Sequence, residues 1–186
     1  MSDVDPILLS VYAKTFKSIT DEMSISVQQT TRSPILCEAK DFVTGLYDGD
    51  GNMLEQTENL PILAFSLEPV CKYIIEFFGD DLHEGDVIFH NDVFSLGNQN
   101  NDVAVFKPIF FEGQLEGFAA TLVHQTDMGG IAPGSGAVFA IEIYQEGLRI
   151  PIIKMYEEDQ PNQTFFKLMA KNARLPDKVA SDMRAQ

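Results

Sequence analysis

Cysteine and basic residues are both scarce in this chain of 186 residues. Its two cysteines, Cys37 and Cys71, form no C-x-x-C pair and match no Cys/His spacing of a zinc site. We therefore expect two free thiols in a reducing compartment. Thirteen basic residues stand against 28 acidic ones, which gives a formal net charge of −15. This excess of acid argues against a nucleic-acid backbone or an anionic membrane surface as a partner.

Long apolar runs are also missing. No stretch approaches the roughly 20 apolar residues that a membrane-spanning helix needs. The amino-terminal stretch MSDVDPILLSVYAKTF has neither the basic start nor the unbroken apolar segment of a signal peptide. We therefore predict a cytoplasmic protein that does not bind membranes. With 45% hydrophobic residues, the chain is predicted to form one domain over residues 1–186 with a buried core.

Helices are predicted at both ends of the chain and once in between. Asp5-Pro6 supplies a capping carboxylate and a first-turn proline, and apolar residues then recur at three- and four-residue steps to about Gln29. A second apolar stripe over residues 68–78 ends at Gly79, a residue suited to a helix C-cap. The tail from Gln163 returns to a helical pattern.

Strand-like segments fill the middle. Residues 42–48 and 53–57 flank the turn sequence GDGN and predict a hairpin. This turn departs from a calcium-binding loop, which would need glycine in place of Met53 and glutamate in place of Asn59. Further strands are predicted at 86–90, 103–111 and 115–125, with one or two more within 139–156. The predicted fold class is α+β, with a mixed, largely antiparallel central sheet, an N-terminal helix and C-terminal helices.

Two polar stretches fall at the ends of predicted strands, HNDVFSLGNQNND and VHQTDMGGIAPGSG. Asp92 ends one strand, Asp102 opens the next, and His124 and Asp127 end the third. If the second and third strands pair as a hairpin, Asp102 lies beside His124. Carboxylate and imidazole together suit Mn²⁺, Fe²⁺ or Zn²⁺, and such an ion could polarise a carbonyl or activate water.

Each of these residues also has a structural interpretation. Asp92 could cap its own turn, Asp102 could simply start a strand, and His124 could be a hydrogen-bonded structural histidine. His83 and His90 are interpreted as surface positions on a turn and a strand. The sequence alone leaves both interpretations open.

The glycine-rich run contains Gly129, Gly130 and Gly134. Its backbone N–H groups could bind an anion such as a phosphate or a substrate carboxylate. Alternatively, the glycines could serve only a loop that needs positive φ angles. The run lacks a Walker lysine and does not match G-x-G-x-x-G.

Seven stretches in one consistent order carry a family resemblance: DPILLSVYAKTFKSITDEM, QQTTRSPILCEAKDF, LYDGDGNMLEQ, GDDLHEGDVIFHNDVF, NNDVAVFKPIFFEGQLEGF, HQTDMGGIAPGS and IYQEGLRIPIIKMYE. The chain resembles the N-terminal part of the hydantoinase B/oxoprolinase family. That family includes subunits of N-methylhydantoinase, 5-oxoprolinase, and acetone and acetophenone carboxylases. Its members are much longer, so the resemblance implies part of a larger fold, from either a split or a truncated subunit.

The resemblance implies an ATP-dependent enzyme with a divalent metal ion at the site in this subunit. ATP and Mg²⁺ would be bound by a hydantoinase A-type partner subunit, and the remainder of the B-type subunit would be a second partner. ATP would activate an amide or enol oxygen by phosphorylation. The small-molecule substrate would be a cyclic amide that is hydrolysed or a ketone that is carboxylated. The alternative is a non-catalytic remnant that acts only in assembly.

The resemblance also assigns site residues. Asp92, Asp102, His124 and Asp127 match the family's metal-site motifs, and His124 and Asp127 would be catalytic. Gly129, Gly130 and Gly134 would bind an anionic group. One departure concerns Gln99, which stands where the family usually has a histidine ligand. A second departure is Gln125, where hydantoinase-type members have another histidine and ketone carboxylases do not.

Overall fold

The structure is a computed structural model that describes residues 5–57, 59–60, 63 and 65–186. Residues 1–4 of the predicted domain therefore lie outside the described residues. The helices and strands follow in the order α1 (Pro6–Thr30), α2 (Pro34–Cys37), β1 (Phe42–Asp48), β2 (Met53–Gln56), α3 (Leu67–Phe78), β3 (Val87–His90), β4 (Asp102–Phe111), β5 (Gln114–His124), β6 (Ile153–Glu157), β7 (Gln160–Pro161), α4 (Gln163–Asn172) and α5 (Pro176–Ala185). Short 3₁₀ turns lie at Gly79–Asp81, Pro133–Ser135 and Ile143–Gln145.

The strands form one seven-stranded sheet in the order β2-β1-β5-β4-β3-β6-β7. Each pairing of neighbouring strands within it is antiparallel. The predicted α+β class is confirmed, with α1 at one end of the chain and α4 and α5 at the other. The predicted hairpin of β1 and β2 is also confirmed, and Asp48 accepts hydrogen bonds from the backbone of Asp50 and Asn52 in its turn.

Apolar side chains pack on both faces of the sheet. Ile88 and Phe106 belong to a core cluster with Ile74 of α3. Their strand neighbours Phe89 and Val105 belong to a second cluster with residues of α4 and α5. Since adjacent strand residues point to opposite faces, α3 covers one face and the C-terminal helices cover the other. The polar ends of β4 and β5 are thus held on a sheet with a core on each side.

Helix α1 begins and ends close to its predicted limits, with the Asp5 carboxylate accepting a hydrogen bond from the backbone N–H of Ile7 at 2.9 Å. Its apolar stripe, however, is largely exposed, including Leu8 and Val11 at 47% and 52%. The buried residues of α1 are Thr20 and Val27, toward its C-terminal half. Neither α1 nor any other helix in the described part of the chain is long and apolar enough to cross a membrane.

The prediction of strands across residues 139–156 is correct only for its last part. Strand β6 begins at Ile153, and the preceding residues form a loop with one 3₁₀ turn. Phe139 and Ile141 alternate with polar or small residues, yet they are 87% and 91% exposed. Alternation predicts a strand only where a neighbouring strand pairs with it, and this segment is not part of the sheet.

The interpretation of His90 as a surface residue is wrong, because its exposed fraction is 1%. Nε2 of His90 lies 2.7 Å from the carbonyl oxygen of Ser95, and the Tyr73 ring packs edge-on against the imidazole. Burial lowers the pKa of His90. His90 is therefore a core histidine that holds the turn after β3.

Candidate functional site

Strands β4 and β5 form a hairpin whose register decides which polar residues meet. Asp102, at the start of β4, lies opposite His124, at the end of β5. Opposite residues of an antiparallel pair place their side chains on the same face of the sheet. Nδ1 of His124 is 2.7 Å from Oδ1 of Asp102. The prediction that these two residues converge is confirmed.

The Asp102 side chain is fully buried, and three side chains surround its carboxylate. Oδ2 accepts a hydrogen bond from Nδ2 of Asn98 at 2.6 Å, and Oδ1 accepts one from Nε2 of Gln99 at 3.1 Å. An ionised carboxylate can only accept, so Nδ1 of His124 carries the proton of the bond that joins them. In the neutral ring, Nε2 is then the basic nitrogen, and 20% of the His124 side chain is exposed.

The carboxylate also changes the acidity of His124. The hydrogen bond that His124 donates to Asp102 raises the pKa of His124 above its ordinary value. Burial of the ring opposes this, and the charges of Asp102 and Asp41 raise the pKa further. An imidazole held in this way takes up a proton more readily and is kept in one orientation. The pair can therefore accept a proton at Nε2.

Asp41 is a third carboxylate near this pair, and no sequence motif pointed to it. Phe42 of β1 lies opposite Val123 of β5, and the backbone N–H of His124 donates to the carbonyl oxygen of Asp41 at 3.0 Å. Asp41 thus flanks His124 on the side away from Asp102. Burial raises the pKa of Asp41, while a charged His124 lowers it and Asp102 raises it. Asp41 comes near His124 only because β1 pairs with β5. These two strands are far apart in the sequence, so the sequence pattern does not predict this contact.

Asp92 is engaged within its own turn. Its Oδ1 accepts a hydrogen bond from the backbone N–H of Phe94, and its Oδ2 accepts one from the Ser95 hydroxyl, both at 3.1 Å. Nε of Arg149 lies 3.4 Å from Oδ1 and completes an ion pair. These contacts match the turn-capping interpretation of Asp92. Its assignment as a metal ligand stays a prediction.

Asp127 is paired with Arg174. Its Oδ1 is 3.1 Å from Nη1 of Arg174, and its Oδ2 accepts a hydrogen bond from the backbone N–H of the same residue at 2.7 Å. The Asp127 side chain is nearly fully buried, so this cation compensates a buried charge. These contacts give Asp127 a structural role that requires neither catalysis nor metal binding. Its predicted catalytic and ligand roles are not tested by them.

The same arginine holds the glycine loop. Nη2 of Arg174 donates to the carbonyl oxygen of Gly130 at 2.6 Å, and Nη1 donates to that of Gly129 at 3.3 Å. Gly129, Gly130 and Gly134 all have positive φ angles, as the structural interpretation of the loop requires. The backbone N–H of Gly129 donates to Asp127. Two carbonyl groups of the loop thus face the Arg174 guanidinium group. The predicted binding of an anion by this loop stays a prediction.

The amide side chains of the first polar stretch have structural partners. Asn91 donates to the carbonyl oxygens of Asn100 and Leu148 and accepts from the backbone N–H of Ile150. Asn100 in turn lies 3.3 Å from the carbonyl oxygens of Ile143 and Gly147. These amides bind the long loop before β6 to the end of β3. They explain why so many amides stand between two buried strands.

The described side chains, as arranged, do not complete a site for Mn²⁺, Fe²⁺ or Zn²⁺. Of the four predicted ligands, Asp102 and His124 touch, whereas Asp92 and Asp127 are each paired with an arginine. Within residues 5–186, apart from residues 58, 61, 62 and 64, no group of three or more His, Cys, Asp or Glu side chains is placed to hold a metal ion. The amide nitrogen of Gln99, next to the pair, is a donor and has no lone pair to offer a cation.

A family model for hydantoinase B/oxoprolinase matches residues 5–186. The chain belongs to the hydantoinase B/oxoprolinase family. Among family relatives, caprolactamase subunit beta of Pseudomonas jessenii is 36% identical over 186 residues, which cover 100% of this chain and 32% of the relative. The crystal structure of ATP-dependent caprolactamase from the same organism matches with a TM-score of 0.93 over 100% of this chain and 32% of that chain.

Two further relatives show the range of the hydantoinase B/oxoprolinase family. The 5-oxoprolinase of Dictyostelium discoideum is 32% identical over 190 residues, which cover 100% of this chain and 15% of the relative. The acetophenone carboxylase delta subunit of Aromatoleum aromaticum is 28% identical over 187 residues, which cover 100% of this chain and 27% of the relative. The chain thus spans about a third or less of the length of these relatives, and its fold matches one part of a larger structure.

Proposed function

We propose that this chain contributes the Asp102–His124 pair to an ATP-dependent enzyme that opens cyclic amides by hydrolysis. The observation that carries the proposal is the 2.7 Å contact between Nδ1 of His124 and the buried Asp102 carboxylate. Similarity over the whole chain to a caprolactamase subunit and to a 5-oxoprolinase supports a cyclic amide as the substrate class. We place the protein in the cytoplasm, as its sequence predicts.

The pair acts on a proton. Hydrolysis requires water to add to the amide carbon, and that water must lose a proton. Nε2 of His124 accepts it, because Nδ1 is held as a donor to Asp102. The Asp102 carboxylate stabilises the imidazolium that results. The proton then passes to the amide nitrogen as the carbon–nitrogen bond breaks. The predicted divalent metal ion has no part in this scheme, because the described donors do not complete a site for it.

Other subunits complete the enzyme in this proposal. A hydantoinase A-type partner would bind ATP and Mg²⁺, and transfer of the γ-phosphoryl group to the amide oxygen would make the carbonyl carbon more electrophilic. Cleavage of the carbon–nitrogen bond would then leave an acyl phosphate, which a second water molecule hydrolyses to the carboxylate and inorganic phosphate. The remainder of a B-type subunit would enclose the substrate over the pair. The name of one relative, a subunit beta, supports an assembly of more than one chain.

Carboxylation of a ketone is a second candidate, supported by the match to an acetophenone carboxylase subunit along the whole chain. Here Nε2 of His124 would take a proton from the carbon beside the carbonyl group. The deprotonated carbon would then attack the carboxyl donor. Gln125, the residue that the family resemblance links to ketone carboxylases, is fully buried and donates to Gln186. A non-catalytic role in assembly is the third candidate.

The test compares His124→Gln and Asp102→Asn with His83→Gln, each in the assembly that co-purifies with the chain. His83 is about half exposed and therefore gives a matched control for a histidine-to-glutamine change. ATP-dependent turnover is measured on a lactam, 5-oxoproline, a hydantoin and an aromatic ketone with bicarbonate. We expect a loss of about 10²-fold or more in kcat for both variants of the pair and none for the control. Carboxylated product alone would favour the second candidate, and unchanged turnover in His124→Gln would reject the proposal.

A further inference from the structure

Gln99 closes a three-residue cluster around the Asp102–His124 contact. Its Nε2 atom lies 3.1 Å from Oδ1 of Asp102 and 3.3 Å from Nδ1 of His124. These are the same two atoms that are 2.7 Å apart in the pair. Three side chains from two segments of the chain therefore meet at one point.

We infer that the Gln99 amide takes the place of a third donor in this cluster and keeps Asp102 and His124 as a hydrogen-bonded pair that holds no transition-metal ion. The divalent ion expected from the family resemblance would then be absent from this cluster. The inference concerns the same pair as the proposed function, but it makes no assumption about the reaction.

The physical reason is the polarity of the amide. A metal ion between the two side chains would need the lone pairs of Nδ1 and Oδ1 and would displace the proton that now joins them. Nε2 of Gln99 directs N–H groups toward that same point, and their partial positive charge opposes a cation. With an ion bound, a rotated amide would offer only the neutral Oε1 atom, which is a poor ligand for a transition metal. Without an ion, the rotated Oε1 would face Oδ1 of Asp102, and two acceptors would repel each other. The observed orientation is therefore fixed by the carboxylate.

Two substitutions reverse this polarity. Gln99→Glu has nearly the same shape and replaces the donor nitrogen with an acceptor oxygen, whereas Gln99→His supplies an imidazole. Gln114→Glu and Gln114→His are matched controls, because Gln114 is exposed at the opposite end of β5. Each protein is purified with its natural partners, incubated with Mn²⁺ or Zn²⁺, dialysed, and analysed for metal content and thermal unfolding. The same measurements are made with His124→Ala, alone and combined with each change at Gln99.

We expect wild type and His124→Ala to retain equal amounts of metal. Each Gln99 variant gains about one ion per chain and a higher unfolding temperature with metal, and the added His124→Ala change removes both gains. The Gln114 variants gain neither. The inference would be overturned if wild type retained a metal ion that the His124→Ala variant lost. It would also be overturned if neither Gln99 variant bound metal. Since the readout is metal content, either result leaves wild-type turnover, and thus the proposed function, to be judged separately.

Discussion

The aspartates of this chain show how far a residue's neighbours decide its role. Asp102 lies opposite a histidine across a sheet pairing, whereas Asp92 and Asp127 each lie beside an arginine. The arginine partners occupy those two carboxylates, and the histidine partner gives Asp102 an imidazole to orient. All three are aspartates in or near the end of a strand. The partner was the feature that differed.

Gly130 offers a test of the glycine loop at the scale of one residue. Its φ angle is +82°, and a Cβ atom there would lie 2.6 Å from the carbonyl oxygen of Gln145. We expect Gly130→Ala to lower the free energy of unfolding by about 3 kcal/mol, because it adds backbone strain and a clash with backbone atoms. Chemical denaturation measures the change.

Gly136→Ala is the control for this change. Its φ angle is −81°, and a Cβ atom would meet nothing within 4 Å. The expected change in stability is within about 0.5 kcal/mol. Equal effects of the two substitutions would contradict the structural account of the loop.

At the scale of elements, the β4–β5 hairpin carries the site. The two strands are joined by a two-residue turn at Glu112 and Gly113, both with positive φ angles. The turn pairs Phe111 with Gln114, and a β-bulge between Ile109 and Phe110 then shifts the register by one residue. Turn and bulge together place Asp102 opposite His124 at the far end. A shift of one residue in this register would move the two side chains to opposite faces.

Helix α1 differs from the hairpin, because only part of its apolar stripe is buried. Val11 is 52% exposed and Val27 is 2% exposed on the same helix. We expect Val27→Ala to cost about 2 kcal/mol of unfolding free energy through lost burial, and Val11→Ala to change it by less than about 0.5 kcal/mol. Chemical denaturation measures both variants. Because the substitution is the same in each, the difference between their unfolding free energies reports the effect of burial. A large loss in Val11→Ala would mean that the exposed stripe is covered in solution.

At the scale of the whole molecule, the described residues form a seven-stranded sheet with helices on both faces and several exposed apolar segments. Phe139, Ile141 and the first turns of α1 are among these segments. The matching caprolactamase chain is about three times as long, since this chain covers 32% of it. The proposed remainder of a B-type subunit gives these surfaces a natural partner.

The sequence predicted those features that depend on residues close together in the chain. The Asp5-Pro6 helix start, the Gly79 helix end and the Asp102–His124 contact across a short hairpin were all of this kind. The features it missed depend on contacts between distant segments. Arg174 reaches Asp127 across 47 residues, and Asp41 meets His124 only through the pairing of β1 with β5. The false strand near Phe139 arose because alternation says nothing about whether a pairing partner exists.

The most direct test of the central claim is the protonation state of His124 by ¹⁵N NMR. The chain has three histidines, so substitution of each one assigns the signals. We predict that neutral His124 carries its proton on Nδ1, and that its pKa lies above the ordinary value and falls in Asp102→Asn. A proton on Nε2, or a titration that Asp102→Asn leaves unchanged, would contradict the account.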